Sequence, residues 1–355
     1  MIPAIANTMR ISYPLNRNQK ERNLMPGLLL KALKTPLELS DYDLGALKPG
    51  YAKVALKAAA LNHRDYWITQ GLYPGIELPK VLGSDGAGVV VQVGQSADET
   101  WLDQEVIINP GWDWGTTEAA QAADFTILGM PHNGTFSSHI HVPVETLRAK
   151  PKHLSWEEAA ALPLAGVTAF RATMSQGQLR PGEKVLVSGI GGGVATLALQ
   201  FSVAVGADVA VTSSSEAKLA RAKELGATAG FNYREEGWTA KAAESFGSPN
   251  LIIDSAAGKG YANLVELAAP GGRIVNYGAT TGPPEKLDMF KLFWKQLKLI
   301  GSTMGSPADF RGMLDLVDKH EIRPVIDQVY SLAQGNEALA RMEQGEQFGK
   351  IVLRI

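Results

Sequence analysis

The chain of 355 residues contains no cysteine. That removes disulfides, thiol nucleophiles and thiolate metal ligands together, and it is compatible with the cytoplasm, the compartment expected here. There is no excess of basic charge either. Thirty-four Lys and Arg stand against 36 Asp and Glu, for a net charge of −2, so nucleic acid is not an expected partner. No apolar run approaches the roughly 18 residues that a membrane-spanning helix needs, and no membrane association is expected. Two catalytic signatures are also missing. No G-x-S-x-G elbow supports a Ser/His/Asp hydrolase, and no GxxxxGK[ST] loop supports a nucleoside triphosphatase.

What is present describes an ordinary globular chain: 45% apolar and 20% charged residues, enough for a sizeable core and long enough for two domains. Residues 1–24 read as an extension, basic through Arg10, Arg17, Lys20 and Arg22, with Glu21 its only acid. A disordered lead-in is expected, with an amphipathic targeting peptide as the alternative.

The most informative stretch is Val185 to Leu199, VLVSGIGGGVATLAL. A short apolar strand runs into four glycines within the five positions 189–193, and small and apolar residues follow at helical spacing. Glycines there let the backbone approach a pyrophosphate, and the N–H groups of the helix start face its charge. A second strand, Asp208 to Thr212, follows, with Gly206 ending the helix. A glycine turn in an unrelated α/β domain is the blander alternative.

From Leu28 to Val106 the pattern is β-rich, with runs at 28–32, 52–58 and 88–94 punctuated by glycine and proline. A long loop over Asn109 to Asn133 precedes another strand, Phe136 to Pro143. The character changes at Ser155-Trp156-Glu157-Glu158, a capping box. Strands at 185–188, 208–212, 229–232, 251–254 and 273–277 then alternate with helices such as Lys218–Leu225 and Tyr261–Ala268, and Leu297–Ser302 would be the last strand. Such alternation implies a parallel sheet covered on both faces. A helix start at Ser306-Pro307-Ala308-Asp309, a run from Val325 to Tyr330 and a closing strand, Gly349 to Ile355, complete the chain. The expected division is 25–154 with 305–355 as a β-rich domain and 155–304 as the cofactor domain inserted between its parts.

Several motifs occur in an order that resembles the medium-chain dehydrogenase/reductase superfamily. Leu82-Gly83-Ser84-Asp85-Gly86-Ala87-Gly88 with Val93-Gly94 resembles its GHExxG…VG segment. Ala161 to Ala169 resembles its domain-joining helix, and the glycine loop, Asn232-Tyr233-Arg234 and Phe348-Gly349-Lys350-Ile351-Val352 fit as well. The resemblance implies an α/β fold: a GroES-like β-rich catalytic domain and a Rossmann doubly wound parallel sheet. Zinc members carry histidine where Ser84 stands, and cysteines that this chain lacks. Zinc prefers thiolate and imidazole, and Asp113, Glu118, Asp124 and His132 match no metal spacing, so no zinc is expected. Leu61-Asn62-His63-Arg64-Asp65 and Gly71-Leu72-Tyr73-Pro74 are similar instead to the zinc-independent branch of quinone oxidoreductases, enone reductases and enoyl-thioester reductases.

In that resemblance Asn62, Asp65 and Tyr73 line the pocket beside the nicotinamide, Thr168 reaches the nicotinamide side, and Tyr233 and Arg234 close over the ribose phosphate. The cofactor set also takes in Gly189, Gly191, Gly192, Gly193, Val194 and Gly278. An acid at the end of the second strand would favour NADH. Counting about twenty residues on from the loop reaches Asp208, but Asp208 begins that strand, at the far end from the ribose. The near end reads Thr212-Ser213-Ser214-Ser215 with Lys218 a turn later, and hydroxyls with a cation suit the 2′-phosphate of NADPH. Capping of the next helix by Ser213 to Ser215 is compatible with this.

Without a metal, the charge left on oxygen after hydride transfer must be stabilised by preorganised donors. That demand is smaller when conjugation spreads the charge, which favours a quinone or an α,β-unsaturated carbonyl over a simple ketone. Tyr73, a phenol that donates at neutral pH, is the candidate donor or else a pocket wall. Asn62 donates to substrate or holds a loop. Asp65 binds backbone N–H groups, and His63 is packing or surface. Trp112 and Trp114 cap the substrate or anchor their loop. A zinc-free alcohol or aldehyde oxidoreductase, an enoyl-thioester reductase and an NADPH-binding redox sensor or structural protein are the competing readings. A homodimer is expected through the apolar edge Leu299 to Met304.

Overall fold

A computed structural model of the chain describes residues 23–355. Most of the expected N-terminal extension therefore lies outside the described residues, and Leu24 already belongs to the first strand. The N-terminal part contains β1 (Leu24–Leu30), β2 (Glu38–Asp43), β3 (Tyr51–Ala60), α1 (His63–Thr69), β4 (Lys80–Val81) and β5 (Asp85–Val93). It continues with β6 (Glu105–Ile108), β7 (Gly111–Trp112), β8 (Thr126–Ile127), β9 (His139–Pro143) and β10 (Leu147–Ala149). The middle of the chain then alternates: α2 (Trp156–Ala161), α3 (Pro163–Phe170), β11 (Lys184–Val187), α4 (Gly193–Ala204), β12 (Asp208–Ser213), α5 (Glu216–Glu224) and β13 (Ala229–Asn232). Next come α6 (Trp238–Ser245), β14 (Leu251–Asp254), α7 (Tyr261–Leu267), β15 (Arg273–Asn276), α8 (Met289–Trp294) and β16 (Lys298–Gly301). The chain closes with α9 (Pro307–His320), β17 (Ile326–Ser331), α10 (Gly335–Gln344) and β18 (Lys350–Arg354).

The middle strands form one six-stranded sheet in the order β13-β12-β11-β14-β15-β16, with every neighbouring pair parallel. The order reverses at β11, the first strand of the set, so a crevice opens between the carboxyl ends of β11 and β14. Ligands of doubly wound sheets bind at such a switch point. The strands are apolar runs because helices cover both faces: Val185, Leu186, Val187, Leu251, Ile252 and Ile253 are buried.

The remaining strands make a seven-stranded sheet, β10-β6-β5-β3-β18-β17 with β9 beside β3, and a three-stranded sheet, β2-β1-β4. β18 comes from the far end of the chain and pairs antiparallel with β3. The C-terminus is thereby returned to the N-terminal sheet beside α1. One apolar core joins the two regions, running from Ala58, Ala60 and Ala87 through Val167 to Phe310 and Met313. Gly166 lets α9 lie close on α3, since a Cβ there would fall 2.5 Å from Met313 Sδ. The capping boxes at Ser155 and Ser306 open α2 and α9. The LNHRD segment, treated as loop in the sequence, is instead the start of α1, because the Asp65 carboxylate accepts from the Asn62 backbone N–H at 2.8 Å and closes the first turn.

Candidate functional site

A cleft of about 670 Å³ runs along the carboxyl ends of the six-stranded sheet and reaches the α1–β18 corner of the other sheet. Its sheet side is the glycine loop. Gly189 has φ of 66° and Gly191 of 147°, conformations that favour glycine. A Cβ on Gly191 would sit 3.2 Å from Lys218 Nζ. Gly192 caps α4, so the first turn of that helix, with N–H groups that have no intrahelical acceptor, opens on the cleft at Gly193 and Val194. The Gly189 N–H donates to Thr212 Oγ1 at 3.0 Å, tying the loop to the end of β12.

Of the residues assigned to the cofactor in the sequence, Ser213, Ser214, Lys218, Tyr233, Gly278 and Thr168 line this cleft. Ser215 does not, and its hydroxyl caps α5 by accepting from Lys218 N. Lys218 Nζ donates to Gly345 O at 2.8 Å, and burial pulls its pKa down. Arg234 is exposed and outside the cleft wall. Glu216, the acid closest in sequence to this end of β12, accepts from Asn232 Nδ2 and is also outside the wall.

At the other end the structure places Asn62, His63, Arg64 and Tyr73 on the cleft. Asn62 is not a free donor. Its Nδ2 donates to Asp85 Oδ2 at 2.9 Å, and its Oδ1 accepts from Lys350 Nζ at 2.7 Å. Lys350 also donates to Asp85 Oδ2 at 2.9 Å and to Leu61 O at 2.8 Å, while Asp85 Oδ1 accepts from Leu164 N. Both charged side chains are buried. This cluster ties β3, β5, α3 and β18 together at the mouth of the nucleotide crevice.

Neither Lys350 nor Asp85 was singled out for chemistry in the sequence, although both stood in quoted motifs. The available signal was a pair of opposite charges, Asp85 and Lys350, each heading a strand just before an apolar run.

Asp65 is fully buried and lies behind the cleft wall rather than on it. Burial raises its pKa to about 6 against the opposing effects of Arg64 and the Asn62 amide. Desolvation, and then the Lys350 charge, lower the pKa of His63. Trp112 and Trp114, offered as substrate caps, are buried away from the cleft. Trp114 donates to Thr117 O, packs edge-on against Phe125 and lies under the Arg171 guanidinium. Trp112 packs against the His132 ring at a tilt, centroids 4.7 Å apart. Both anchor the 109–133 loop, and Ile127 is the loop residue that reaches the cleft.

Arg64 is the residue that sequence reading passed over. Only 6% exposed, it donates from Nη1 to Ser84 Oγ at 2.5 Å and to Leu128 O at 2.7 Å. Its Nε donates to Tyr73 Oη at 3.3 Å, and the guanidinium carbon stands 4.8 Å from the Tyr73 ring centre.

Comparison with known proteins agrees with this layout. The family model of the alcohol dehydrogenase GroES-like domain matches residues 48–152, and that of the zinc-binding dehydrogenase matches residues 193–319. A zinc-type alcohol dehydrogenase-like protein, YogA of Leptosphaeria maculans, is 37% identical over 90% of this chain and 95% of its own. The chain belongs to the medium-chain dehydrogenase/reductase superfamily. A solved NAD-dependent alcohol dehydrogenase superposes with a TM-score of 0.87 at 35% identity, over 93% of this chain and 100% of its own. The acryloyl-coenzyme A reductase of Sulfurisphaera tokodaii is 28% identical over 92% of this chain and 100% of its own. The chain is thus an oxidoreductase of this superfamily, with a GroES-like part and a Rossmann sheet.

The superfamily implies a nicotinamide dinucleotide, and the glycine cradle and the open helix start fit one. It also implies zinc in many members, and the residues here do not fit zinc. The hydroxyl of Ser84, where those members have histidine, is already engaged by a guanidinium, and a second cation there would be repelled. Among the described residues no three His, Asp or Glu side chains converge on a metal position, and no helix is long and apolar enough to cross a membrane.

Proposed function

We propose that this protein is a zinc-independent, NADPH-dependent reductase of quinones or α,β-unsaturated carbonyls. The observation that carries this reading is one cleft holding a glycine-rich cradle at one end and, at the other, a phenol backed by a guanidinium that engages Ser84. Bound in the cradle, a reduced nicotinamide supplies hydride. Residues 155–304 are the cofactor domain in this reading, and 25–154 with 305–355 the catalytic domain.

Each group on the wall then has a task. Gly189 to Val194 admit the pyrophosphate, and the amides at the start of α4 offset its charge. Ser213, Ser214 and Lys218, with Tyr233 alongside, receive the 2′-phosphate. Thr168 and Gly278 border the nicotinamide. Tyr73 donates to the acceptor oxygen, and the Asn62–Lys350–Asp85 cluster fixes the wall from which it projects. Asn62 is thus a positioning residue. The donors are neutral or fixed in place, which suits an anion already spread by conjugation. The name of the acryloyl-coenzyme A reductase relative points to the same class of acceptor.

The edge strand β16 is unpaired on one side, and next to it α8 exposes Phe290, Phe293 and Trp294 by 62%, 62% and 72%. An apolar patch of this kind wants a cover, and a homodimer through this edge supplies it. The cytoplasm suits a cysteine-free enzyme that draws on reduced dinucleotide.

Replacing Tyr73 with Phe tests the reading. The expected result is a fall in kcat of about tenfold to a hundredfold on an enone, with NADPH affinity, read by nicotinamide fluorescence, unchanged. An unchanged kcat would leave Tyr73 as wall and remove its donor role.

A further inference from the structure

A buried guanidinium is costly unless its donors are satisfied and its charge is compensated. Among the described residues two ion pairs have both side chains under 10% exposed, Arg171–Asp309 and Lys350–Asp85, and Arg64 belongs to neither. Its neighbours are neutral: the Ser84 hydroxyl, the carbonyls of Leu128 and Met130, and the Tyr73 phenol. Asp65, the adjacent acid, turns Oδ2 to the Asn62 N–H. Of the five guanidinium N–H groups, four find these acceptors, the Met130 contact being long at 3.5 Å. One Nη2 N–H is left over, on a side chain that forms part of the cleft wall. The nearest acid, the buried Asp65, feels the Arg64 charge but makes no hydrogen bond to it, so the guanidinium sits in the wall with neutral hydrogen-bond partners and one N–H to spare.

We propose that Arg64 replaces the metal cation of the superfamily, holding Tyr73 through Nε–H and presenting a permanent positive charge to the acceptor oxygen as that oxygen becomes anionic. This rests on the reductase reading above. When a C–H bond forms at the β-carbon with hydride from a reduced nicotinamide, the C=C electron pair shifts toward the carbonyl and leaves an enolate oxygen. The Tyr73 O–H donates to that oxygen. A proton from solvent then forms the α-C–H bond and the C=O bond is restored.

The arrangement also sets the direction of the chemistry. A guanidinium stays protonated and offers no vacant orbital, so it stabilises an enolate or hydroquinone anion but does not hold an alkoxide as a metal does. Alcohol oxidation is therefore disfavoured at this site. Ser84 belongs to the same device: its small hydroxyl accepts from Nη1 and donates to Leu128 O, leaving room for the guanidinium that an imidazole at that position would oppose. Arg64 acts by holding Tyr73 and by the field of its charge, without bonding the reacting atoms, and is a positioning residue.

The test uses the full protein saturated with NADP⁺ and 4-nitrophenol as an enolate-like probe, with its phenolate absorbance followed against pH. Bound to wild type, the phenol is expected to ionise about one pH unit lower than free in solution, and Arg64→Gln is expected to abolish that displacement. In the same variant kcat on an enone falls by about 10²–10³-fold, while the Kd for NADPH stays within about twofold. Arg64→Lys keeps the charge but not the planar fork, and is expected to keep the phenol displacement while losing part of kcat.

Wild-type kcat in Arg64→Gln, or an unaltered phenol titration there, overturns the proposal. Should Arg64→Gln not fold, the wild-type titration decides alone: a probe that titrates as in free solution, or shows no spectral change, overturns it. If wild type reduces no enone or quinone with either nicotinamide, the reductase reading fails, and the phenol titration still decides what Arg64 does.

Discussion

Lys350→Met gives the sharpest test of how the cleft is held together. In the folded chain Lys350 Nζ meets Asp85 Oδ2 at 2.9 Å, Asn62 Oδ1 at 2.7 Å and Leu61 O at 2.8 Å, with both charged groups buried. Methionine matches the stem but supplies none of these donors. Asp85 is then left buried with only the Asn62 amide and the Leu164 N–H, and Asn62 Oδ1 and Leu61 O lose a partner. Removing one member of a buried pair costs about 3–5 kcal/mol, because the other charge stays uncompensated. For a chain of this size that corresponds to a thermal midpoint lower by about 4–7 °C.

The companion variants are Asp85→Asn and the double replacement. The cycle of midpoints, read by differential scanning calorimetry, should give a coupling of at least about 1 kcal/mol, with the double variant more stable than the two single effects added together. Lys350→Met within about 1 kcal/mol of wild type, together with additive single effects, would refute the claim that this pair carries the α1–β18 corner.

Three further outcomes follow from the same geometry. Burial lifts the Asp65 pKa to about 6 from the ordinary 3.8, so its contribution to stability is full below pH ~4 and about 3 kcal/mol of it is lost as pH rises through ~6. Asp65→Asn keeps an acceptor for the Asn62 N–H and should flatten that part of the stability-versus-pH curve. Identical curves for variant and wild type would contradict the assignment. Lys218→Ala should weaken NADPH about tenfold and leave NADH unchanged, and equal losses for both would show that Lys218 does not read the phosphate. Phe290→Asp on the exposed face of α8 should convert a dimer to monomer by light scattering during gel filtration, and an unchanged mass would place the interface elsewhere or leave the wild type a monomer.

The fold was largely legible because its signals are local. The strand at 185, the glycine turn and the apolar helix behind it are contiguous, and β11, β12, β13, β14 and β15 fall within a residue of the runs read from alternation. The capping boxes at Ser155 and Ser306 marked helix starts by side-chain chemistry that acts within one turn. Most residues assigned to the cofactor fall on one cleft for the same reason, since they sit at the ends of those strands, while Ser215 and Arg234 do not.

The catalytic end was less so, because it is assembled from distant segments. Arg64 meets Ser84 and Leu128 across 20 and 64 residues, and Lys350 meets Asn62 and Asp85 across 288 and 265. No spacing rule connects such positions. The two readings of the tryptophans stayed open for a related reason: an aromatic on a long loop reads alike whether it caps a ligand or anchors the loop, and packing against Phe125, Arg171 and His132 decides for the anchor.

Oxidation of NADPH and NADH by chelator-treated protein, with an enone, a quinone and a simple aldehyde assayed in parallel, tests the central claim most directly. The account predicts turnover of the conjugated acceptors with NADPH, unaffected by chelator or by added zinc, and little or none of the aldehyde. Turnover that is lost on chelation and restored by zinc, or that favours the aldehyde, would contradict it.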